Sequence, residues 1–272
     1  MVAEEHLDHG FIKSYINEDN QHLLFILPGQ TLSPRVFWDF KLPEGKTHSE
    51  YFYDAGIDVV LFDPVGYGNS KQFYQYDRVA YARQIEIAVS KFTKPYKSKT
   101  VLGFSTSTAP AIIASQTHFN KVIIHSPAFR SHKKYFVKHN DVYETNIDKL
   151  KSERIGKISD KIIPKPNRIE GWEERILEVN GKREWAVPGK VVGDISNYWV
   201  MRGNHAFNPS AVPPILSIVG EYDYEMTTGG YDEFKAAFPN YQEAVIPNST
   251  HFSMWENESH RTRAEVIKWV LQ

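Results

Sequence analysis

Residues 99–115, KTVLGFSTSTAPAIIAS, change character at a single point. Up to Phe104 the run is apolar and not alternating, which suits a strand buried on both faces, as in a parallel sheet covered by helices. From Thr106 onward small and aliphatic residues follow at helical spacing, so the stretch reads as strand, sharp turn, helix. A serine at such a turn stands above the sheet edge, beside the first backbone N–H groups of the helix. Gly103 and Ser107, two residues either side of Ser105, are small where neighbouring backbone must pass close.

The same kind of run recurs in both directions. HLLFILPG (22–29), DVVLFDP (58–64), KVIIHSP (121–127), PILSIVGEYD (214–223) and YQEAVIPN (241–248) each end in Gly, Pro, Asn or Asp. FIKSYINE (11–18) alternates instead and reads as an outer strand turning back antiparallel, through EDNQ, into the next one. Residues 76–92, 106–115 and 261–272 carry helical spacing. Strand and helix in alternation imply an α/β domain with a mostly parallel sheet flanked by helices. The rhythm breaks over 128–208, which turns lysine-rich and then aromatic, with Asn180-Gly181 between two strand-like runs as a hairpin signal. This stretch reads as an inserted cap of helix and β-hairpin, dividing the core into 1–127 and 209–272. Its lysines read as a solvated face.

Three polar residues stand at the carboxyl ends of expected parallel strands, where ligands bind in such sheets. Ser105 is the candidate nucleophile and His251, in NSTHF (248–252), the candidate base. Asp223, closing GEYD (220–223), would orient the imidazole and select its tautomer. The Thr106 N–H, with the Gln30 N–H from the loop after LLFILPG, would form an oxyanion hole. Glu221 competes with Asp223 for the acid role. His125 ends a strand near Ser105 but has no neighbouring carboxylate, so it is expected to pack or hydrogen-bond in the core.

In these segments the chain resembles a capped member of the α/β-hydrolase superfamily. LLFILPGQ is similar to the oxyanion strand and loop, with Pro28 where a histidine is common. Asp63, Gly66, Gly68 and Ser70 match the Asp-x-x-Gly-x-Gly-x-Ser segment, and Glu256 stands where a buried structural glutamate is common. Ser107 replaces a glycine, which should widen or strain the turn, and Pro110 should make the helix start irregularly. The resemblance spans the chain outside the cap and implies a Ser-Asp-His serine hydrolase.

The 272 residues hold 41% hydrophobic and 24% charged side chains, an ordinary globular balance. A formal net charge of -1 supplies no field to draw nucleic acid or an anionic membrane. The absence of cysteine excludes disulfides, thiolate metal sites and cysteine nucleophiles. No paired histidine spacing or phosphate loop is present, so neither metal nor cofactor is expected. The acidic N-terminus and the lack of a long apolar run lead to the expectation of a cytoplasmic protein, monomer or homodimer, acting on a small molecule. Phe37, Trp38, Trp185, Trp199 and Trp255 are candidates for an apolar pocket wall. The expected activity is hydrolysis of an ester or related acyl bond. C–C bond hydrolysis on the same triad and a binding protein with little turnover are the alternatives.

Overall fold

In the computed structural model, residues 2–8, 10–29, 35–64, 78–127, 142–144, 175, 184–186, 208–223 and 231–272 are described. The run around Leu24 forms strand β3 (His22–Leu27), whose apolar residues are all buried. Its continuity has a direct cause. Leu24 and Ile26 face one core cluster, while Leu23, Phe25 and Leu27 face the other. Side chains alternate along a strand, so a strand covered on both faces must be apolar at every position.

Seven further strands join β3 in one sheet among the described residues: β1 (Val2–Leu7), β2 (Gly10–Tyr15), β4 (Ile57–Pro64), β5 (Ser98–Phe104), β6 (Lys121–His125), β9 (Ile215–Gly220) and β10 (Tyr241–Ile246). Their order is β1-β2-β4-β3-β5-β6-β9-β10. Pairing is parallel from β4 to β10 and antiparallel at β1–β2 and β2–β4.

Helices α1 (Arg35–Trp38), α2 (His48–Asp54) and α6 (Ser259–Leu271) bury Phe37, Phe52, Val266 and Trp269 against the first face. On the second face lie α3 (Arg78–Ser90), α4 (Thr108–His118) and α5 (Tyr231–Ala237), through Ile85, Ile112 and Phe234. Each such fully buried aliphatic or aromatic side chain contributes roughly 1.5–3 kcal/mol of transfer free energy. The parallel strands therefore point their carboxyl ends to one edge, with β4 on one side of β3 and β5 on the other.

Two local expectations are corrected. The run at 11–18 does become an antiparallel strand, but β2 pairs with β4, not with β3, which follows it. Both edges of β3 are occupied by the parallel partners β4 and β5. The outermost strand is β1, whose charged, exposed residues carry no apolar signal. Lys13 pairs with Glu4 and Lys91 with Glu5, charges that suit an open sheet edge.

Of the expected cap, the described parts are 142–144, Arg175, 184–186 and Asn208. Within it β8 (Glu184–Ala186) pairs antiparallel with β7 (Val142–Glu144), setting Trp185 opposite Tyr143. The strand after Asn180-Gly181 thus has a partner some forty residues upstream, while the expected turn itself lies outside the described residues. Among the described residues no helix is long and apolar enough to cross a membrane.

Candidate active site

Strand β5 ends at Phe104, and Ser105 takes φ 52° before a single 3-10 turn leads into α4. A left-handed conformation is unfavourable for a residue with a Cβ, so this turn stores strain at Ser105. Close packing explains Gly103. A Cβ there would lie 2.5 Å from the Ser107 carbonyl oxygen and 2.8 Å from Ala111 Cβ.

Ser107 has φ -81° and needs no glycine. Its hydroxyl donates to the Pro28 carbonyl oxygen at the end of the β3 run, joining two loops that a glycine would leave unjoined. The strain expected at Ser107 is instead carried by Ser105. The irregular helix start does appear, as the 3-10 turn, and Pro110 falls third in α4, where its missing N–H has no intrahelical acceptor.

His251 and Asp223 arrive from loops that touch each other. The Tyr222 N–H donates to the Ser249 carbonyl oxygen at 2.8 Å, and a Cβ on Gly220 would run into the Ser249 and Thr250 backbone. Glu256, almost fully buried, accepts from the Thr250 N–H at 2.8 Å and also from the Thr250 hydroxyl, fixing the residue before His251.

The result is a buried hydrogen-bonded chain. His251 Nδ1 lies 3.1 Å from each Asp223 carboxylate oxygen, and His251 Nε2 lies 3.0 Å from Ser105 Oγ. A carboxylate only accepts, so Nδ1–H donates to Asp223 and Nε2 is left to accept the Ser105 proton. Ser105, Asp223 and His251 are each at most 2% exposed, which strengthens their mutual electrostatics. Glu221 is exposed, and its carboxylate accepts from the Asn248 N–H at 2.9 Å, outside this chain.

No family model matches the chain, and no curated protein matches it. Solved structures do match over nearly their whole length. An esterase from Exiguobacterium antarcticum superposes with a TM-score of 0.66 at 15% identity, covering 97% of this chain and 96% of that one. A Paleococcus ferrophilus monoacylglycerol lipase gives 0.65 at 13%, covering 96% and 98%. MenH from S. aureus gives 0.63 at 13%, covering 97% and 98%.

This chain has the α/β-hydrolase fold.

Within that α/β-hydrolase frame three of the expected pocket-wall rings, Phe37, Trp38 and Trp255, lie in a core cluster. Phe37 and Trp255 are fully buried and pack edge to face at 5.0 Å, with the Trp255 Nε1–H donating to the Val36 carbonyl oxygen. Trp38 stacks on Tyr15 at 3.9 Å, with Lys13 Nζ 3.8 Å from its ring centre. These rings join the core cluster on the first face of the sheet because burial against α2, α6 and β2 is available to them. Trp185 lies in β8; Trp199 and Gln30 fall outside the described residues. Thr106 is buried in the turn directly after Ser105.

Two further histidines belong to the neighbourhood. His125 is wholly buried, and burial, followed by the nearby His251, lowers its pKa to about 3. His48, also wholly buried, is lowered to about 3 by burial and then by the Arg263 charge. Both are therefore neutral at physiological pH. Among the described residues no group of three His, Cys, Asp or Glu side chains is placed to hold a metal ion.

Proposed function

We propose that this chain is a serine hydrolase that cleaves an ester or related acyl bond of a small to medium apolar or aromatic substrate. The observation that carries the reading is the hydrogen-bonded chain from Ser105 through His251 to Asp223 at the carboxyl edge of the sheet. Solved structures of the same fold include esterases, a lipase and a thioesterase, which supports a hydrolase.

In this reading Ser105 Oγ attacks the acyl carbon as its proton passes to His251 Nε2. The oxyanion is met by the N–H groups of Thr106 and Gln30. His251 returns the proton to the leaving oxygen as the acyl–oxygen bond breaks. Water then attacks the acyl-Ser105 ester, giving its proton to His251, and the acid departs as Ser105 recovers that proton. Asp223 holds the imidazole tautomer throughout and balances its transient positive charge. Selection of the acyl group is assigned to the insertion at 128–208, with Trp185 and Trp199 as contacts.

Labelling with a fluorophosphonate probe, followed by an ester panel of graded acyl length, tests the reading. Covalent modification of Ser105 and turnover on part of the panel are expected. A folded protein that neither labels nor turns over would return the chain to the binding-protein alternative. Trp185→Ala and Trp199→Ala should reorder the acyl-length ranking without preventing labelling.

A further inference from the structure

Ser105 and His251 are held by strands that do not touch. Ser105 follows β5, His251 follows β10, and β6 and β9 lie between them. Something must carry the histidine loop back across the sheet edge, and the residue at the crossing point is His125, the last of β6. It contacts both sides. Its ring stacks on Phe104 at 5.1 Å and 27°, and Phe104 is covalently next to Ser105 and sits beside the His251 ring at 5.4 Å. On the other side, His125 Nε2 lies 2.8 Å from Ser253 Oγ. Ser253 opens the 3-10 turn Ser253–Trp255, two residues beyond His251.

The Thr262 hydroxyl, from α6, donates to Ser253 Oγ at 3.2 Å and to the Ser253 carbonyl oxygen at 3.4 Å. Ser253 Oγ thus accepts from Thr262 and shares a hydrogen bond with His125 Nε2. His125 Nδ1 has no partner among the described residues. This chain runs α6, histidine loop, β6, and it ends against the residue that precedes the nucleophile.

We propose that His125 and Ser253 form a positioning pair that sets the His251–Ser105 separation for the reaction. Neither touches the reacting atoms. The pair acts by clamping the loop that carries the base onto the strand that carries the nucleophile, and it rests on the serine-hydrolase reading above. Staying neutral is part of the role, because a cation at His125 would oppose the positive charge that His251 acquires in each half-reaction. Displacing a reacting group by about an ångström costs on the order of a hundred-fold in rate, so loosening the clamp should appear in kcat.

The test measures kcat and KM for a hydrolysed ester in His125→Phe, Ser253→Ala, the double variant and His125→Gln, with unfolding midpoints for each. His125→Phe retains a ring against Phe104 and deletes the bond to Ser253. His125→Gln brings an amide to about the place of Nε2. We expect kcat to fall about ten- to a hundred-fold in each deletion with KM within about two-fold, and the double variant to be no slower than the slower single. His125→Gln should recover most of the loss. If His125→Phe does not fold, Ser253→Ala decides alone. Wild-type kcat in folded variants, or losses that multiply in the double variant, would overturn the pair while leaving the serine reading intact. A wild-type protein whose Ser105 is not labelled by the fluorophosphonate removes both.

Discussion

Ser105 combines two demands that pull against each other. Its φ of 52° is a conformation that favours glycine, yet the proposed chemistry needs a hydroxyl at that position. Stability and activity should therefore part company there. Ser105→Gly is expected to be inactive but more stable than Ser105→Ala, by about 1 kcal/mol, in urea unfolding. Ser105→Ala should lower kcat by on the order of a million-fold with the fold retained, as judged by circular dichroism. The two carboxylates near His251 separate just as clearly. Asp223→Asn should lower kcat about 10⁴-fold through the wrong imidazole tautomer, whereas Glu221→Gln, which touches the Asn248 N–H, should leave it within a few-fold. A larger loss for Glu221→Gln in steady-state assays would reverse the assignment.

At the scale of elements, the turn from β5 into α4 is held by contacts across its base. Gly103→Ala would press a Cβ against the Ser107 carbonyl oxygen, which is backbone and cannot rotate away. Overpacking of this kind costs about 1–3 kcal/mol. It should also slow fluorophosphonate labelling, because relief must come from moving the turn that carries Ser105. Helix α2 offers a contrast. Thr47 accepts from the Glu50 N–H while the Glu50 carboxylate accepts from the Thr47 N–H, a reciprocal cap that satisfies two otherwise free donors. Thr47→Ala should cost about 1 kcal/mol in chemical denaturation and leave kcat unchanged, since this cap lies outside the Ser105–His251–Asp223 chain.

For the whole molecule, acid is the expected weakness. His48 and His125 have folded pKa values near 3 against 6.5 for an unperturbed histidine, both chiefly through burial. Below pH 6.5 the unfolded chain therefore binds protons that the folded chain refuses. Stability is fully present above that pH, falls as pH drops towards 3, and falls no further from these groups below it. Between pH 7 and 5 the loss should be about 2 kcal/mol for each histidine. Urea titrations at the two pH values check this, and His48→Leu should lessen the dependence.

The parallel core and the identity of the polar residues at its carboxyl edge were legible in the sequence, for a physical reason. A strand buried on both faces must be apolar throughout, as Leu23 to Leu27 are, and a serine between a strand pattern and a helix pattern has only a turn to occupy. Glu256 was legible for its burial but not for its partner, Thr250. Long-range pairing was not legible. β1 is charged and exposed, so nothing in its pattern announces a strand, and β2 chose β4 because both edges of β3 were already filled. Phe37 and Trp255 look alike as pocket or core until their neighbours are known, and those neighbours make them core. The bond from Ser107 to Pro28 and the contact of His125 with Ser253 join residues 79 and 128 positions apart. Sequence periodicity reports which face of an element is apolar; which elements meet, and which hydroxyl then finds a partner, is decided only when the sheet closes around them.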